Sequence, residues 1–574
     1  MVVLNIWLLL CSLPFLYITY IALNRTHRLF INYRAAQKFG IPIKILPFNR
    51  QDNVWLFTWR YFYRLIKALP FGLGSWIDYS FHGWNVNIRF KPHEDLGDVF
   101  CFVTPNQNEI TFIDPLAGLE LEAKYKTWHK PQQHYHIFDL YGRNLLTANG
   151  DEWQRHRKIT SPAFREVNYK LVWNEALQQA GKMFRIARQR SQGQGHNLME
   201  DVRNDCIIMA MHVLSAVGFG HRYDFETGLR QIPPGHRVSF SATMWFIFTR
   251  FLRIVAFRHV KLPPALTPRW LQDIKVHLDE FKQYMDEAID RQRKSGQSHL
   301  GSGADLINAF IQANEVAKSE DKNLLTPAGK RSYLSDSELY GNMFILNLTG
   351  FEPPANAAMH VLPFLAAHRE VQDWAGEEVD AVIGEVGTLE YEEVFPRLLR
   401  CQAVLYETLR FWGPLGDTTR ICLNEPQVLG VGGRDLLIPP GVHVNWDFAG
   451  SQTDPRWWGQ DAMEWRPQRW ISVDRVTGCE GFGAPSGEGE MAFNAWSGGP
   501  RACPGKKFSQ VEIVAMIATL LRSYRLKPMT VPGTKMRTEE DARRELLSVT
   551  NDLELPIRVK AERLRDTGIV FLDR

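Results

Sequence analysis

A single cysteine framed by glycine, proline and basic residues constrains this chain more than any other feature. It lies in WSGGPRACPGKKF, residues 496–508, and apolar residues recur behind it at helical spacing for several turns. Cys503 is therefore expected at the start of a helix, where free backbone N–H groups and the helix dipole favour a thiolate. Gly499 and Gly505 permit a tight turn and the close approach of a flat group. Arg501 is placed to reach an acidic group of the same ligand.

A thiolate, room for a planar ligand and a cation for its carboxylates together describe a haem site. The alternative for a lone cysteine is a buried structural residue. The segment resembles the haem-binding signature of the cytochrome P-450 family, in which a cysteine thiolate is the proximal iron ligand. The resemblance implies haem b with Cys503 as its axial ligand. The other signature residues that it assigns to the cofactor are Trp496, in place of the usual phenylalanine, Gly499, Arg501 and Gly505.

Further motifs follow in the order that the family has. ETLR supplies Glu407 and Arg410, which at i, i+3 spacing can pair on one face of a helix. Alone, such a pair is usually solvated surface. The resemblance adds Arg469 of the later PQRW and implies a structural triad beneath the haem. It also assigns to the haem propionates Trp153 and Arg157, from GDEWQRHRK, and Arg420.

The oxygen-activation motif departs from the family pattern. Family members usually carry Gly-x-acid-Thr-Thr in the long central helix, whereas this chain keeps Gly350 and Glu352 but has Pro353 and Pro354 at the hydroxyl positions. Because proline has no N–H, the helix is expected to open here. One hypothesis is that Thr349, one turn earlier, supplies the hydroxyl while Glu352 feeds protons through water. The alternative is that Thr349 only back-bonds to its own helix.

The amino terminus predicts a membrane anchor. Residues 1–24 contain no charged side chain, and basic residues follow from Arg25 onward. A helix of this length rises about 35 Å, enough to cross a bilayer. Basic residues after the span predict a cytosolic body; the alternative is a cleaved signal peptide. We therefore expect an anchor at 1–24, a basic, proline-containing linker at 25–52 and one catalytic domain at 53–574.

Composition narrows the class of protein. A net charge of +4 and the absence of a basic tract argue against nucleic-acid binding. The seven scattered cysteines suggest neither a zinc site nor a disulfide framework. The pattern predicts a mainly α fold with small β-sheets (α+β), which for the resembling family is the cytochrome P-450 fold. The aromatic, basic segments 53–76 and 240–257 suit either a membrane interface or a buried helix.

The resemblance implies a haem-thiolate monooxygenase that inserts one atom of O2 into an apolar substrate. The signature and KITSPAF look most like fungal members, which favours a secondary metabolite. Electrons would come from NADPH through NADPH-cytochrome P-450 reductase, with cytochrome b5 as an optional second donor. The expected location is the endoplasmic reticulum membrane, single-pass, with contacts to lipid. The alternatives are a reductase-independent isomerase, dehydratase or peroxygenase, and a non-catalytic haem-binding membrane protein.

Overall fold

A computed structural model describes residues 2–194, 199–228, 230–260, 262–263, 266–295, 306–323, 331–529, 538–551 and 568–573. The structure is mostly helical with small sheets, as expected from the sequence. The helices are α1 Val2–Ala36, α2 Asn53–Lys67, α3 Trp84–Ile88, α4 Lys91–Leu96, α5 Pro115–Ala123, α6 Gln132–Tyr135, α7 Gly150–Thr160, α8 Glu166–Gln194, α9 Met199–Phe219, α10 Phe240–Thr249, α11 Phe251–Phe257, α12 Arg269–Ser295, α13 Leu306–Asn323, α14 Asp336–Ala367, α15 Arg369–Val386, α16 Tyr391–Val394, α17 Leu399–Phe411, α18 Phe448–Ser451, α19 Pro455–Trp458, α20 Gly487–Ala492, α21 Lys506–Ser523 and α22 Glu539–Asn551.

The strands are short and form four separate sheets among the described residues. They are β1 Ile43–Ile45, β2 Val99–Val103, β3 Asn108–Phe112, β4 Asp417–Arg420, β5 Gln427–Val431, β6 Arg434–Ile438, β7 His443–Asp447, β8 Ile471–Val473, β9 Glu480–Phe482, β10 Tyr524–Met529 and β11 Gly568–Asp573. Three of the sheets are two-stranded antiparallel pairs: β5–β6, β8–β9 and β10–β11.

The chain divides into two compact units. The first comprises Met1–His134, Leu415–Ala462 and Glu488–Arg501, and the second comprises Tyr135–Pro414, Met463–Gly487 and Ala502–Arg574. The segment predicted as one catalytic domain thus contributes to both units. The first unit also includes the segments predicted as anchor and linker.

The amino-terminal helix is longer than the predicted span. α1 continues through the basic residues to Ala36, and Ile43–Ile45 then forms β1, so much of the predicted linker is regular structure. The side chains of residues 1–15 lie outside the described residues, and the transmembrane anchor stays a prediction. Among the described residues, α9 has an apolar window long enough to span a membrane, but 83% of it is buried inside the protein. The pair α10 and α11 is bent by 77°.

The first unit is built on a five-stranded sheet in the order β1-β2-β3-β7-β4. β2 and β3 form an antiparallel pair. Every residue of β2, VFCFV, is buried, because alternate side chains enter two different cores. α5 packs against this sheet so closely that a Cβ on Gly118 would stand 2.1 Å from the Trp446 ring. This packing places the last turn of α5 near the end of β4.

The second unit is organised around the long helix α14. α14 packs against α9, α17, α21 and α22, and α21 packs against α8. Ser335 is its N-cap: the Ser335 hydroxyl accepts from the Glu338 N–H, and the Glu338 carboxylate accepts in return from the Ser335 N–H.

The expected opening of α14 at its proline pair is wrong. The helix runs without a break past Pro353 and Pro354. The prolines still remove the N–H donors that the carbonyls of Thr349 and Gly350 would otherwise meet. Packing on both sides keeps the helical path, and a Cβ on Gly350 would lie only 3.0 Å from Leu214 of α9.

Candidate haem-thiolate site

The cysteine predicted to bind a metal lies in the turn that leads into α21. The Cys503 carbonyl accepts a 3.4 Å hydrogen bond from the Lys506 N–H, and the first helical residue is Lys506. Cys503 is exposed and forms no disulfide. A Cβ on Gly505 would stand 3.8 Å from the Cys503 sulfur, so this glycine leaves the thiol side open. The structure therefore places the sulfur one turn before the helix, as the sequence predicted in outline.

Arg157 lies next to this thiol within the second unit. It is carried by α7, one turn after the buried Trp153, whose side chain fixes the helix in the core. Burial lowers the pKa of Arg157, and the negative charge of the Cys503 sulfur acts in the opposite direction. Arg157 and Cys503 are 346 residues apart in the sequence, but the fold brings them close enough to interact electrostatically.

The predicted ion triad is formed completely. Glu407 accepts from Arg410 Nε and Nη2 and from Arg469 Nε, each at 2.9 Å. It also accepts from the Arg466 N–H and the Trp470 indole N–H, both at 2.9 Å. Burial raises the pKa of Glu407, but Arg410 and then Arg469 lower it below its ordinary value. The triad ties α17 to the turn before β8.

Sequence reasoning missed a second carboxylate that supports α17. Leu398, the N-cap residue of α17, provides no side-chain cap. Instead Glu378 of α15 accepts from the Arg400 N–H at 2.8 Å and from the Cys401 N–H at 3.1 Å. Burial raises the pKa of Glu378 to about 7, although both backbone N–H groups and Arg400 oppose that rise. An acid that caps another helix has no local sequence signature.

The first part of the signature segment lies in the first unit. Trp496 precedes Ser497 and Gly499, which have positive φ values of 60° and 63°. At Gly499 a Cβ would also lie 3.2 Å from the Cβ of Glu122, so conformation and close approach both require glycine. Arg501 ends the short 3₁₀ turn that follows and is buried. Gly499 therefore rests on the end of α5.

Arg420, predicted to meet a propionate, is the last residue of β4 and is held by protein groups. Its Nη2 donates to Glu122 Oε2 at 2.5 Å, and its Nη1 donates to Thr418 Oγ1 at 2.8 Å and to the Thr419 carbonyl at 2.9 Å. Both members of the ion pair are buried, with 1% and 0% of their side chains exposed. The sequence did not indicate Glu122, which lies 298 residues before its partner.

Three segments of the second unit, residues 136–146, α10–α11 and α14, bring aromatic rings together. Phe138 stacks on Phe251 at 5.4 Å between ring centroids, and Phe251 lies 6.5 Å from Phe344 of α14. Phe248 of α10 meets Phe351 edge-on at 5.4 Å. Aromatic rings from the 136–146 segment, α10–α11 and α14 thus form one apolar wall.

A family model decides what this arrangement is. The model described as cytochrome P-450 matches residues 73–555. The chain belongs to the cytochrome P-450 family. The match includes the cysteine turn, the WxxxR helix and the ion triad, so each of these structures lies within the P-450 region.

Fungal cytochrome P-450 monooxygenases are similar to this chain over almost its whole length. One from Arthrobotrys oligospora is 27% identical, covering 95% of this chain and 96% of the relative. The phomenoic acid biosynthesis cluster cytochrome P-450 monooxygenase of Leptosphaeria maculans is 26% identical, covering 92% and 95%. A third, from Penicillium roqueforti, is 26% identical, covering 86% and 87%. The chain is accordingly a P-450 enzyme of the monooxygenase type.

The residues present fit the haem of a P-450 enzyme. Cys503 offers an open sulfur at the start of α21. In the first unit, Arg420 Nε is a buried donor without a hydrogen-bond partner among the described residues. Buried donors of this kind are usually satisfied, so a ligand group is expected at Arg420. The haem carboxylates supply such acceptors.

The P-450 oxygen motif is altered as the sequence indicated. The Thr349 hydroxyl donates to the Ile345 carbonyl at 2.7 Å, which is the back-bonded arrangement considered as the alternative. Burial raises the pKa of Glu352, while the Asn356 side chain and Arg203 oppose the rise. The prolines leave Thr349 and Glu352 as the hydroxyl and the acid of this stretch of α14.

The two lysines after the P-450 cysteine differ in environment. Lys506 is exposed, whereas Lys507 places its Nζ 4.1 Å from the centroid of the Phe395 ring. Burial lowers the pKa of Lys507, and Glu166 opposes this shift. Lys507 is therefore part of the packing around α21, whereas Lys506 faces solvent.

Proposed function

We propose that this P-450 enzyme is a membrane-anchored haem-thiolate monooxygenase that inserts one atom of O2 into a bulky apolar substrate, a secondary metabolite of a fungus. The observation that carries the proposal is the exposed Cys503 thiol in the turn before α21, with Arg157 beside it. Bound haem supplies the oxygen-activating chemistry, which a thiolate ligand promotes by donating electron density.

The cofactor would be held by residues of this chain in three ways. Cys503 provides the iron ligand, and the Lys506 N–H bonded to its carbonyl helps to fix the turn. Arg157 and Trp153 on α7, and Arg501 and Arg420, would hold the carboxylates. The triad of Glu407, Arg410 and Arg469 supports the structure without contacting the ligand.

The aromatic wall favours a large apolar substrate. The partly exposed rings of Phe138 and Phe251 offer flat apolar faces, and the buried ring of Phe344 lies 6.5 Å from that of Phe251. The similarity to the monooxygenase of the phomenoic acid biosynthesis cluster supports a secondary-metabolite substrate for this chain. Comparison of metabolites with and without the gene, followed by incubation of the missing product's precursor under isotopically heavy O2, tests this part.

Proton delivery on α14 would use Thr349 and Glu352. Burial raises the pKa of Glu352, which favours the protonated form of its carboxyl, the form that can donate a proton. The Thr349 hydroxyl donates to Ile345, but its oxygen can still accept a hydrogen bond from water. In this scheme Glu352 passes a proton to water that Thr349 positions.

The relay is tested by the variant Thr349→Val, with product formed per NADPH consumed as the measurement. We expect coupling to fall and peroxide release to rise. Thr519→Val is the matched control, because Thr519 makes the same 2.7 Å back-bond, to Ala515 in α21. If the two variants form the same amount of product per NADPH, Thr349 has no role in proton delivery and only bonds back to its own helix.

Electrons would come from NADPH through NADPH-cytochrome P-450 reductase, with cytochrome b5 as an optional donor. The proposed location is the endoplasmic reticulum membrane, with the catalytic part in the cytosol. The outer face of α2 and the turn after it support lipid contact: Tyr61, Leu65 and Phe71 are 79%, 70% and 98% exposed. The inner face of α2 is anchored by Trp55 and Trp59, which are buried.

The decisive experiment is the absorption spectrum of the reduced, carbon monoxide-bound protein. We expect the red-shifted Soret band of a thiolate ligand, and its loss in Cys503→Ser. Cys479→Ser is the matched control, because Cys479 is the other exposed cysteine among the described residues and lies in the β8–β9 hairpin. Haem bound through nitrogen in the unmodified protein would overturn the proposal.

The proline pair favours one second candidate, a haem-thiolate enzyme that needs no reductase. Without a threonine at positions 353 and 354, the usual hydroxyl donor is missing. NADPH and O2 consumption with the substrate and reductase distinguishes the candidates. Turnover driven by peroxide, or rearrangement without O2, would favour the second.

A further inference from the structure

The buried pair of Arg420 and Glu122 has two polar atoms left over. Arg420 uses Nη1 and Nη2 for Thr418, Thr419 and Glu122, but its Nε–H has no partner among the described residues. Glu122 accepts through Oε2, whereas its buried Oε1 also has no partner there. The buried pair thus leaves one donor and one acceptor without a hydrogen-bond partner among the described residues of the first unit.

The position of Glu122 is unfavourable for a residue with only a structural role. It lies in the last turn of α5, where the helix dipole disfavours a negative charge. Its side chain is completely buried, so water does not stabilise it. Lys124, the nearest cation after it on the chain, is exposed and pairs with Glu120 instead. Arg420 is the cation that balances the negative charge of Glu122.

One chemical group satisfies both atoms at once. A protonated carboxylic acid accepts a hydrogen bond through its carbonyl oxygen and donates one through its hydroxyl. It can therefore accept from Arg420 Nε and donate to Glu122 Oε1. An ionised carboxylate would satisfy Arg420 but would face Glu122 as a like charge.

We propose that Glu122 is a positioning residue for the cofactor: together with Arg420 it binds one haem carboxyl in its protonated, uncharged form. The proposal rests on the haem site proposed above. Gly499 of the signature segment packs directly on Glu122, which links this pair to the cofactor-binding turn. Arg501, which is buried in the signature segment, is assigned to the same cofactor and provides a separate partner for the second carboxyl.

The test is infrared spectroscopy of the haem-loaded full chain. Protein is produced with 5-aminolevulinic acid labelled with carbon-13 in its carboxyl group, which labels both haem carboxyls. In unmodified protein we expect a protonated carboxyl band that shifts with the label. In Glu122→Gln we expect that shifting band to be lost. Without the charge of Glu122, Arg420 balances an ionised haem carboxyl, and the introduced amide donates a hydrogen bond to it.

Glu109→Gln is the matched control. Glu109 is also buried in the first unit and paired with an arginine, Arg50, with 2% and 8% of their side chains exposed. We expect this variant to keep the labelled band. A change that only loosened the unit would affect both variants alike.

Two results overturn the proposal: no labelled protonated band in the unmodified protein, or a band that is unchanged in Glu122→Gln. The first needs no variant, so the test survives a variant that fails to fold. Failure of the proposed function is a different observation. It would be seen earlier, in the absorption spectrum, as a protein without thiolate-bound haem.

Discussion

The triad around Glu407 gives the sharpest prediction for stability. Glu407→Gln keeps the shape of the side chain but removes the only carboxylate that faces Arg410 and Arg469 in the triad. All three side chains are at most 1% exposed. At least two of the five hydrogen bonds that Glu407 accepts are lost, since the amide nitrogen cannot accept.

The expected magnitude follows from that burial. Breaking a buried ion pair by removing one partner costs about 3–5 kcal/mol, because the remaining charge has neither water nor a counter-ion. We therefore expect the free energy of unfolding at neutral pH to fall by about 3–5 kcal/mol. Urea unfolding followed by far-ultraviolet circular dichroism measures it, and the Soret band of haem-loaded protein follows the same transition.

The sign of the pH dependence provides a second check. The folded-state pKa of Glu407 is lowered, so its contribution to stability is complete above the unfolded pKa of about 4.5 and is lost as pH falls through the folded value. The difference in free energy of unfolding between Glu407→Gln and the unmodified protein should therefore disappear only at acid pH. Glu385→Gln, which removes an exposed partner of Arg397, should not change unfolding measurably. A loss below about 1 kcal/mol for Glu407→Gln, the value of an exposed pair, would refute the reasoning.

Three further predictions concern other parts of the chain. Because burial raises the folded pKa of Glu378 to about 7, the free energy of unfolding should fall by roughly 3 kcal/mol as pH rises from about 4.5 to 7. Glu378→Gln should remove this pH dependence when unfolding by urea is measured across that range. An unchanged pH dependence in the variant would contradict the prediction. In protein lacking residues 1–24, Leu65→Ser and Phe71→Ser should each weaken sedimentation with lipid vesicles by about tenfold, since each removes a large apolar side chain. Val476→Ser, at a 94% exposed site in the second unit, should leave vesicle binding unchanged. Equal losses of vesicle binding in all three variants would argue against lipid contact by α2. Pro353→Ala restores an N–H for the Thr349 carbonyl within a continuous helix and should raise the free energy of unfolding by about 1–3 kcal/mol in the same urea assay, whereas a decrease would mean that the backbone depends on the ring.

What the sequence predicted well was carried by short-range patterns. The pairing of Glu407 with Arg410 follows from i, i+3 spacing. The helix behind Cys503 follows from its apolar repeat. The place of Arg469 in the triad came from resemblance to a family, since no local pattern joins residues 62 apart.

What the sequence did not predict depends on contacts between distant segments. Glu122 and Glu378 are ordinary acids on helices until the fold brings Arg420 and the start of α17 to them. Pro353 predicted a break in α14, because the local rule does not include the packing that holds the helix on course. Local chemistry therefore predicted Cys503 as the iron ligand, whereas the roles of Glu122 and Glu378 became visible only in the structure.

The span between Glu407 and Arg469 also has a consequence during synthesis. Arg469 leaves the ribosome 62 residues after Glu407, which at ordinary elongation rates is roughly 3–12 s. For those seconds the nascent α17 carries its carboxylate with one arginine and without the indole of Trp470. The helix can be locked into place only after its last partner has been translated.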